Sequence, residues 1–121
     1  LKQFFPIDRA ECETTAKFNV GPSQEILAIA RQENENALDT YHWGLVPSWA
    51  KYISIGNKMI NARSETVATK PSFRGPFKHR RCLIPADGFY EGVQVRGQKQ
   101  PVFITLPDEP ICLCWLMGCV A

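Results

Sequence analysis

Short apolar runs separated by Gly and Pro turns are the feature that most restricts the fold of this chain. Four runs have the length and composition of strands rather than helices: residues 25–31, 41–46, 82–85 and 101–106. A further strand opens at Phe89-Tyr90-Glu91, and its alternation predicts Phe89 and Glu91 on one face with Tyr90 on the other. Many short strands of this kind predict an α+β domain with a mostly antiparallel sheet.

The segments between these runs predict loops and short helices. Residues 1–20 are polar and irregular or partly helical, with Phe4, Phe5 and Phe18 as expected core anchors. Residues 32–40 are acidic and polar and predict a hairpin loop on the surface, and residues 96–99 predict a second hairpin loop. Residues 61–69 have a helical composition, which Pro71 ends.

Length and composition indicate one globular domain over residues 1–121. The chain has 121 residues of which 45% are hydrophobic, enough for a packed core. No apolar run approaches the roughly 20 residues that span a bilayer, and no leader pattern precedes the domain. We therefore expect a cytoplasmic monomer with no membrane association.

The five cysteines predict reduced thiols. An odd count without a leader argues against a disulfide framework. The last three are Cys112, Cys114 and Cys119, whose spacings of one and four intervening residues do not match a zinc motif. We expect neither a metal nor a cofactor.

Positive charge is concentrated in one segment although the formal net charge is only +2. Residues 1–40 carry four Lys/Arg against seven Asp/Glu, a net charge of −3. Residues 58–81 carry seven Lys/Arg against Glu65 alone, a net charge of +6. Such a surplus is typical of an anion-binding surface, although a solvated charged face gives the same pattern.

Aromatic residues lie beside this basic segment. Trp43 and Trp49 flank a Gly and a Pro in HWGLVPSW, where they either form a rigid wall or belong to the core. A wall of rings next to Lys and Arg suits single-stranded nucleic acid, because bases stack on the rings while the cations contact phosphates.

Two residues, Asn61 and Glu91, are the candidates for chemistry. Glu91 follows a Gly turn and two aromatic residues, and an apolar setting would favour the protonated carboxyl of a general acid; an exposed strand Glu is the alternative. Asn61 can orient a substrate or a nucleophile, or simply cap a helix. Arg63 has the guanidinium geometry that holds phosphate.

The other nucleophilic and basic side chains have simpler interpretations. His79 belongs to the basic run KHRR and His42 to a strand. Cys82 lies in an apolar strand, as an inert buried thiol does. A cysteine-dependent peptidase or amidase acting through Cys82 remains an alternative function.

Several motifs together resemble one known family. WGLVPSWA, IGNKMINARSETVATKPSF and RRCLIPADGFYE, together with FNVGPSQ and KQPVFI, closely resemble the SOS response-associated peptidase (SRAP) family. The resemblance covers about residues 1–111. It implies a mixed α/β fold with a barrel-like sheet and a positively charged groove.

The resemblance also implies a function on damaged DNA. Family members bind single-stranded DNA at abasic sites, where an N-terminal cysteine attacks the ring-opened sugar and forms a thiazolidine crosslink; the same cysteine is linked to self-processing. Carried over by motif, Asn61 would orient that cysteine and Glu91 would act as acid/base. Arg63, Arg74, Arg81, Trp43 and Trp49 would face the DNA. A DNA-bound member would be associated with the nucleoid.

Three departures from the family pattern modify this expectation. The Met-Cys-Gly-Arg-Phe start is absent, the chain ends at Ala121 before the family's downstream His, and Gly92 stands where the family usually has Trp. They imply a truncated member that has lost the covalent chemistry. The main alternative is a non-catalytic module that binds single-stranded nucleic acid.

Overall fold

The computed structural model describes residues 3–13 and 17–117. In chain order its elements are β1 (Arg9–Ala10), β2 (Glu25–Gln32), β3 (Glu35–His42), a 3-10 helix (Ile53–Lys58), α1 (Arg74–His79), β4 (Arg81–Ala86), β5 (Gly88–Val95), β6 (Gln98–Thr105) and β7 (Ile111–Leu116). No helix in these two ranges is long and apolar enough to cross a membrane.

The strands form two sheets. The larger sheet has the order β1-β3-β2-β4-β7, in which only the short β1–β3 pair is parallel. β5 and β6 form a separate antiparallel sheet. The predicted α+β class with mostly antiparallel strands is confirmed. The strands of the described residues form open sheets rather than a closed barrel.

The acidic segment 32–40 belongs to a hairpin, as predicted, but most of it is the strand β3 and not a loop. The turn is only Glu33-Asn34, where both residues have positive φ (48° and 66°) as in a type I′ hairpin turn. β3 then pairs with all eight residues of β2. Ala37 and Leu38 are buried in this pairing. These two residues stand among polar residues, so their pattern was too weak a signal to predict a strand.

The helix lies later in the chain than predicted. Residues 64–69 form turns with isolated helical hydrogen bonds, such as Val67 N–H to the Arg63 carbonyl at 2.9 Å, and not a helix. The α-helix is instead α1, which the sequence does not predict because it contains Gly75 and Pro76. Pro76 is tolerated because its missing N–H falls in the first turn, where a helix leaves N–H groups unpaired.

Both faces of the larger sheet carry core residues. Ala28, Ala30, Cys82 and Ile84 pack on one face, whereas Phe5, Ile29 and Leu38 form a cluster on the other. Phe5 is thus the core anchor that was predicted. Phe4 and Phe18 are 52% and 93% exposed, so their assignment to the core was wrong.

A third cluster lies under the basic segment. Leu45, Phe73 and Leu116 are buried together, with Met59, Ala62 and Val67 packed against them. This cluster attaches the irregular chain between β3 and α1 to the last strand of the sheet. It therefore positions the residues that the sequence marks as functional.

The β5–β6 hairpin extends from the domain. Arg96 and Gly97 have positive φ at its turn, which confirms the predicted hairpin loop. Every residue from 90 to 109 is exposed, including Tyr90, Phe103 and Leu106. We call this hairpin the β5–β6 ribbon.

Gly44 is a position where only glycine fits. Its φ is +131°, and a Cβ built there would lie 2.5 Å from the backbone oxygen of Gly56. Gly97 shares a positive φ of +78° but has open space around its Cβ direction.

Replacing each of these two glycines by Ala distinguishes the cost of a positive φ from the cost of a close backbone contact. We expect Gly97→Ala to lower the free energy of unfolding by about 1–2 kcal/mol, the cost of a left-handed residue. Gly44→Ala should lower it by about 1–3 kcal/mol more, because backbone must move to admit the methyl group. Urea unfolding measures both, and equal losses would contradict the close contact of Gly44 with Gly56.

Candidate nucleic-acid interface

Two of the sequence motifs lie side by side. The Leu45 N–H donates to the Met59 carbonyl at 3.0 Å, and the Trp43 Nε1–H donates to the Ile60 carbonyl at 3.5 Å. HWGLVPSW is thus held against NKMINARSE. Trp43 is half-buried in this junction, whereas Asn61, next in the chain, is exposed.

A shallow groove of about 570 Å³ lies beside α1. It is lined by Ala68, Arg74, Gly75, Phe77, Lys78 and Arg81, and we call it the basic groove. Arg74 and Arg81, both predicted to contact DNA, are brought together here. The Arg81 guanidinium lies 6.0 Å from the centre of the Phe77 ring, a cation–π distance.

Arg80 fixes the wall of this groove. Its side-chain Nε donates to the Met117 carbonyl at 3.2 Å, while its carbonyl accepts from the Met117 N–H at 2.8 Å. Its own N–H donates to the Pro76 carbonyl at 2.8 Å. Arg80 is therefore a structural residue, and Arg81 is the exposed member of the pair.

A second groove, of about 470 Å³, surrounds the start of the 3-10 helix. Its aromatic and basic lining residues are Trp49, Lys51, Tyr52 and Lys58, and we call it the aromatic groove. Trp49 is 62% exposed and Tyr52 is 75% exposed. Rings this exposed are available for stacking, as the prediction for Trp49 requires. Tyr52 and Lys51 were not singled out from the sequence, although an aromatic residue next to Lys was a visible signal.

The cations of the basic segment are available to an anion. Its exposed members are Lys58, Arg63, Lys70, Arg74, Lys78 and Arg81. Within residues 3–13 and 17–117, the salt bridges gather at the far end of the sheet, where Arg9 meets Glu11, Glu33 and Glu35. Charge therefore separates along the fold, with acidic groups neutralised near β1 and uncompensated cations near α1.

The two candidate catalytic side chains lie on different parts of the fold. Glu91 is exposed in the ribbon, opposite Val102. Asn61 is exposed before the turns at 64–69, and no side-chain hydrogen bond between described residues joins it to Glu91. The Arg63 carbonyl accepts from the Val67 N–H at 2.9 Å, and Arg63 is an exposed residue. The roles of Asn61, Arg63 and Glu91 stay predictions.

The thiols differ in their surroundings. Burial raises the pKa of the Cys82 thiol to about 11, with Cys114 and Cys112 adding to the effect. Cys112 and Cys114 are exposed on β7, and the partial burial of the Cys112 thiol, together with the nearby Cys114, raises the pKa of Cys112. Cys119 lies outside the described residues. Among the described residues, no cluster of three or more His, Cys, Asp or Glu has the arrangement of a metal site.

One protein-family model matches nearly the whole chain. A family model described as SOS response associated peptidase (SRAP) matches residues 1–120. The chain belongs to the SRAP family. The family predicted from the motifs is confirmed.

Two curated relatives share the description of abasic site processing protein. The abasic site processing protein YoaM of Bacillus subtilis is 52% identical over 112 residues, which are 92% of this chain and 48% of the relative. The abasic site processing protein YedK of Escherichia coli is 34% identical over 100 residues, or 82% of this chain and 43% of the relative. The chain therefore spans about half the length of the curated relatives it matches.

Solved structures support the same fold. A protein from Bordetella bronchiseptica has a TM-score of 0.75 with 25% identity, covering 93% of this chain and 56% of its own. A protein from Bacteroides thetaiotaomicron has a TM-score of 0.64 with 27% identity, covering 76% of this chain and 40% of its own. The SRAP motifs thus occur here on an SRAP-like fold.

The raised pKa of Cys82 predicts its reactivity. At pH 8 we expect iodoacetamide to alkylate Cys112 and Cys114 before Cys82, because Cys82 is buried and its reactive thiolate is scarce at that pH. Peptide mass spectrometry of the folded protein measures the order, and the unfolded protein is the control. Fast alkylation of Cys82 would contradict the burial of its thiol and would support the alternative function of a cysteine-dependent hydrolase.

Proposed function

We propose that this SRAP domain recognises abasic sites in single-stranded DNA. The observation that carries the proposal is the presence of two surface types: a basic groove with Arg74, Lys78 and Arg81, and an aromatic groove with Trp49 and Tyr52. Relatives named abasic site processing proteins support the choice of substrate.

The grooves suit an unpaired strand because they offer two kinds of contact. Guanidinium and ammonium groups in the basic groove meet phosphates and release counterions. The exposed rings of Trp49 and Tyr52 offer flat apolar surfaces to bases, which only an unpaired strand can turn outward. The proposal therefore favours single-stranded over double-stranded DNA.

Asn61, Arg63 and Glu91 are proposed to act on the abasic sugar. The SRAP resemblance gives Asn61 an orienting role and Glu91 that of acid/base, next to a cysteine at the chain's start. In that chemistry the α-amine and thiol of the cysteine add to the aldehyde, and one water leaves as the thiazolidine closes. Glu91 has a carboxyl that can move the protons of this step.

Binding through the basic groove predicts a defined salt dependence. Arg74→Gln and Arg81→Gln should each reduce the slope of log affinity against log salt by about 0.7, the value for one lost phosphate contact on a single strand. Fluorescence anisotropy with a labelled single strand measures the slope. Arg31→Gln is the matched control, because Arg31 is also exposed but lies on β2 and bonds to Asn36. An equal change in the control would mean that only net charge matters.

Stacking is tested by a second pair of variants. Trp49→Ala should weaken single-strand binding by about 1–3 kcal/mol with little change in the salt slope, because it removes a stacked base and no charge. Phe18→Ala is the control, since Phe18 is 93% exposed and lies outside both grooves. Unchanged affinity in Trp49→Ala would exclude the aromatic groove from the interface.

The abasic site itself is tested by covalent capture. A version of the chain that begins Met-Cys-Gly-Arg-Phe and also carries the family's downstream His segment is mixed with single-stranded DNA holding one abasic site and run on a denaturing gel. We expect a heat-stable band that Glu91→Gln and Asn61→Ala reduce and that the control Glu65→Gln retains. No band, with equal affinity for intact and abasic strands, would favour the non-catalytic binding module.

A further inference from the structure

Arg81 combines a fixed backbone with an exposed side chain. It pairs with the buried Leu116 between β4 and β7. The residue before it, Arg80, is held by its hydrogen bonds to Pro76 and Met117. The point at which the Arg81 side chain leaves the fold is therefore well defined, whereas the long side chain beyond it keeps its rotatable bonds.

No carboxylate within residues 3–13 and 17–117 holds the Arg81 guanidinium, because every salt bridge in those ranges involves Arg9. The basic groove adds two further cations, Arg74 and Lys78, which repel the charge of Arg81. An arginine that nothing holds loses side-chain freedom when it binds a phosphate, and this loss weakens binding.

The ring of Phe77 takes the place of a carboxylate. The Arg81 Cζ lies over this ring, 6.0 Å from its centre. Phe77 is 37% exposed and lines the same groove from α1. The face of an aromatic ring is partly negative and attracts a cation. A ring leaves the full charge of the guanidinium available to a phosphate, whereas a carboxylate in its place would neutralise that charge.

We infer that Phe77 is a positioning residue for the phosphate contact of Arg81. The inference rests on the proposed function, in which Arg81 binds DNA through the basic groove. The ring limits the guanidinium to orientations over the groove before DNA arrives, so less side-chain freedom is lost on binding. An uncharged residue thus supports an electrostatic contact.

The first test replaces the ring. Phe77→Leu keeps an apolar side chain and removes no charge. We expect it to weaken single-strand binding about two- to fivefold, as the loss of an exposed cation–π contact does, and to lower the salt slope part of the way toward that of Arg81→Gln. Phe77→Tyr retains a ring and should restore both values. Phe4→Leu is the matched control, because Phe4 is 52% exposed and lies outside both grooves. Fluorescence anisotropy measures affinity and slope.

A double-mutant cycle separates positioning from a direct contact. In the Arg81→Gln background, Phe77→Leu should have no further effect on affinity. In the Lys78→Gln background it should keep its full effect, since Lys78 lines the same groove but lies over no ring among the described residues. Equal losses in both backgrounds would overturn the inference, because the ring would then stack on a base itself or only support the fold.

Nitrogen-15 relaxation of the arginine Nε–H groups tests the pair without DNA. The order of the Arg81 Nε–H should fall in Phe77→Leu and return in Phe77→Tyr. The Nε–H of Arg80, which donates to the Met117 carbonyl, is the internal control and should not change. Unchanged order at Arg81 would overturn the inference.

Failure of the inference is distinct from failure of the proposed function. If Phe77→Leu binds DNA as the unmodified chain does while Arg81→Gln binds more weakly, Phe77 has no positioning role and the proposed function stands. If the unmodified chain binds no single strand, the proposed function fails and the phosphate contact of Arg81 fails with it.

Discussion

The larger sheet depends on a junction of two residue pairs. β2 and β4 are joined at Ile29–Leu83 and Ala30–Cys82, and this contact connects β1-β3-β2 to β4-β7. Few hydrogen bonds can form there, so side-chain packing holds the two parts together. Ala30 and Cys82 pack on one face and Ile29 with Leu83 on the other. The buried, protonated state of Cys82 follows from this position, because a thiolate at the junction would have to be desolvated.

The same junction separates two electrostatic regions. On the β1 side, Arg9 neutralises carboxylates near the β2–β3 turn, with its Nη1 3.1 Å from a Glu35 oxygen. On the β7 side, α1 and the start of β4 present Arg74 and Arg81 without acidic partners among the described residues. A fold that balances its acidic end internally leaves a net positive field at the other end, which attracts a polyanion to one side only.

Features that depend on local composition were predicted well from the sequence. Features that depend on backbone geometry and tertiary pairing were predicted poorly. The strands from 82 to 106 were predicted because apolar runs and an Arg-Gly turn are local signals. β3 was not predicted from the sequence. The turn before it is formed by Glu33-Asn34, and its buried residues are Ala37 and Leu38, whose burial depends on tertiary pairing. Arg74 and Arg81 come together through α1, and this helix was not predicted because it contains Gly75 and Pro76. The motifs named the family, but the positions of Tyr52 and Lys51 required the fold.

The position of Glu91 connects the ribbon to the chemistry proposed for this domain. A carboxylate exposed to water is a poor general acid, because solvent stabilises its charged form. In the β5–β6 ribbon, Glu91 lies opposite Val102 and two residues from Phe89 and Val93, so apolar side chains flank it on one face of the hairpin. The acid/base role proposed for Glu91 therefore falls on the exposed ribbon, whereas the cations proposed to bind phosphates lie in the basic groove beside α1 and β4.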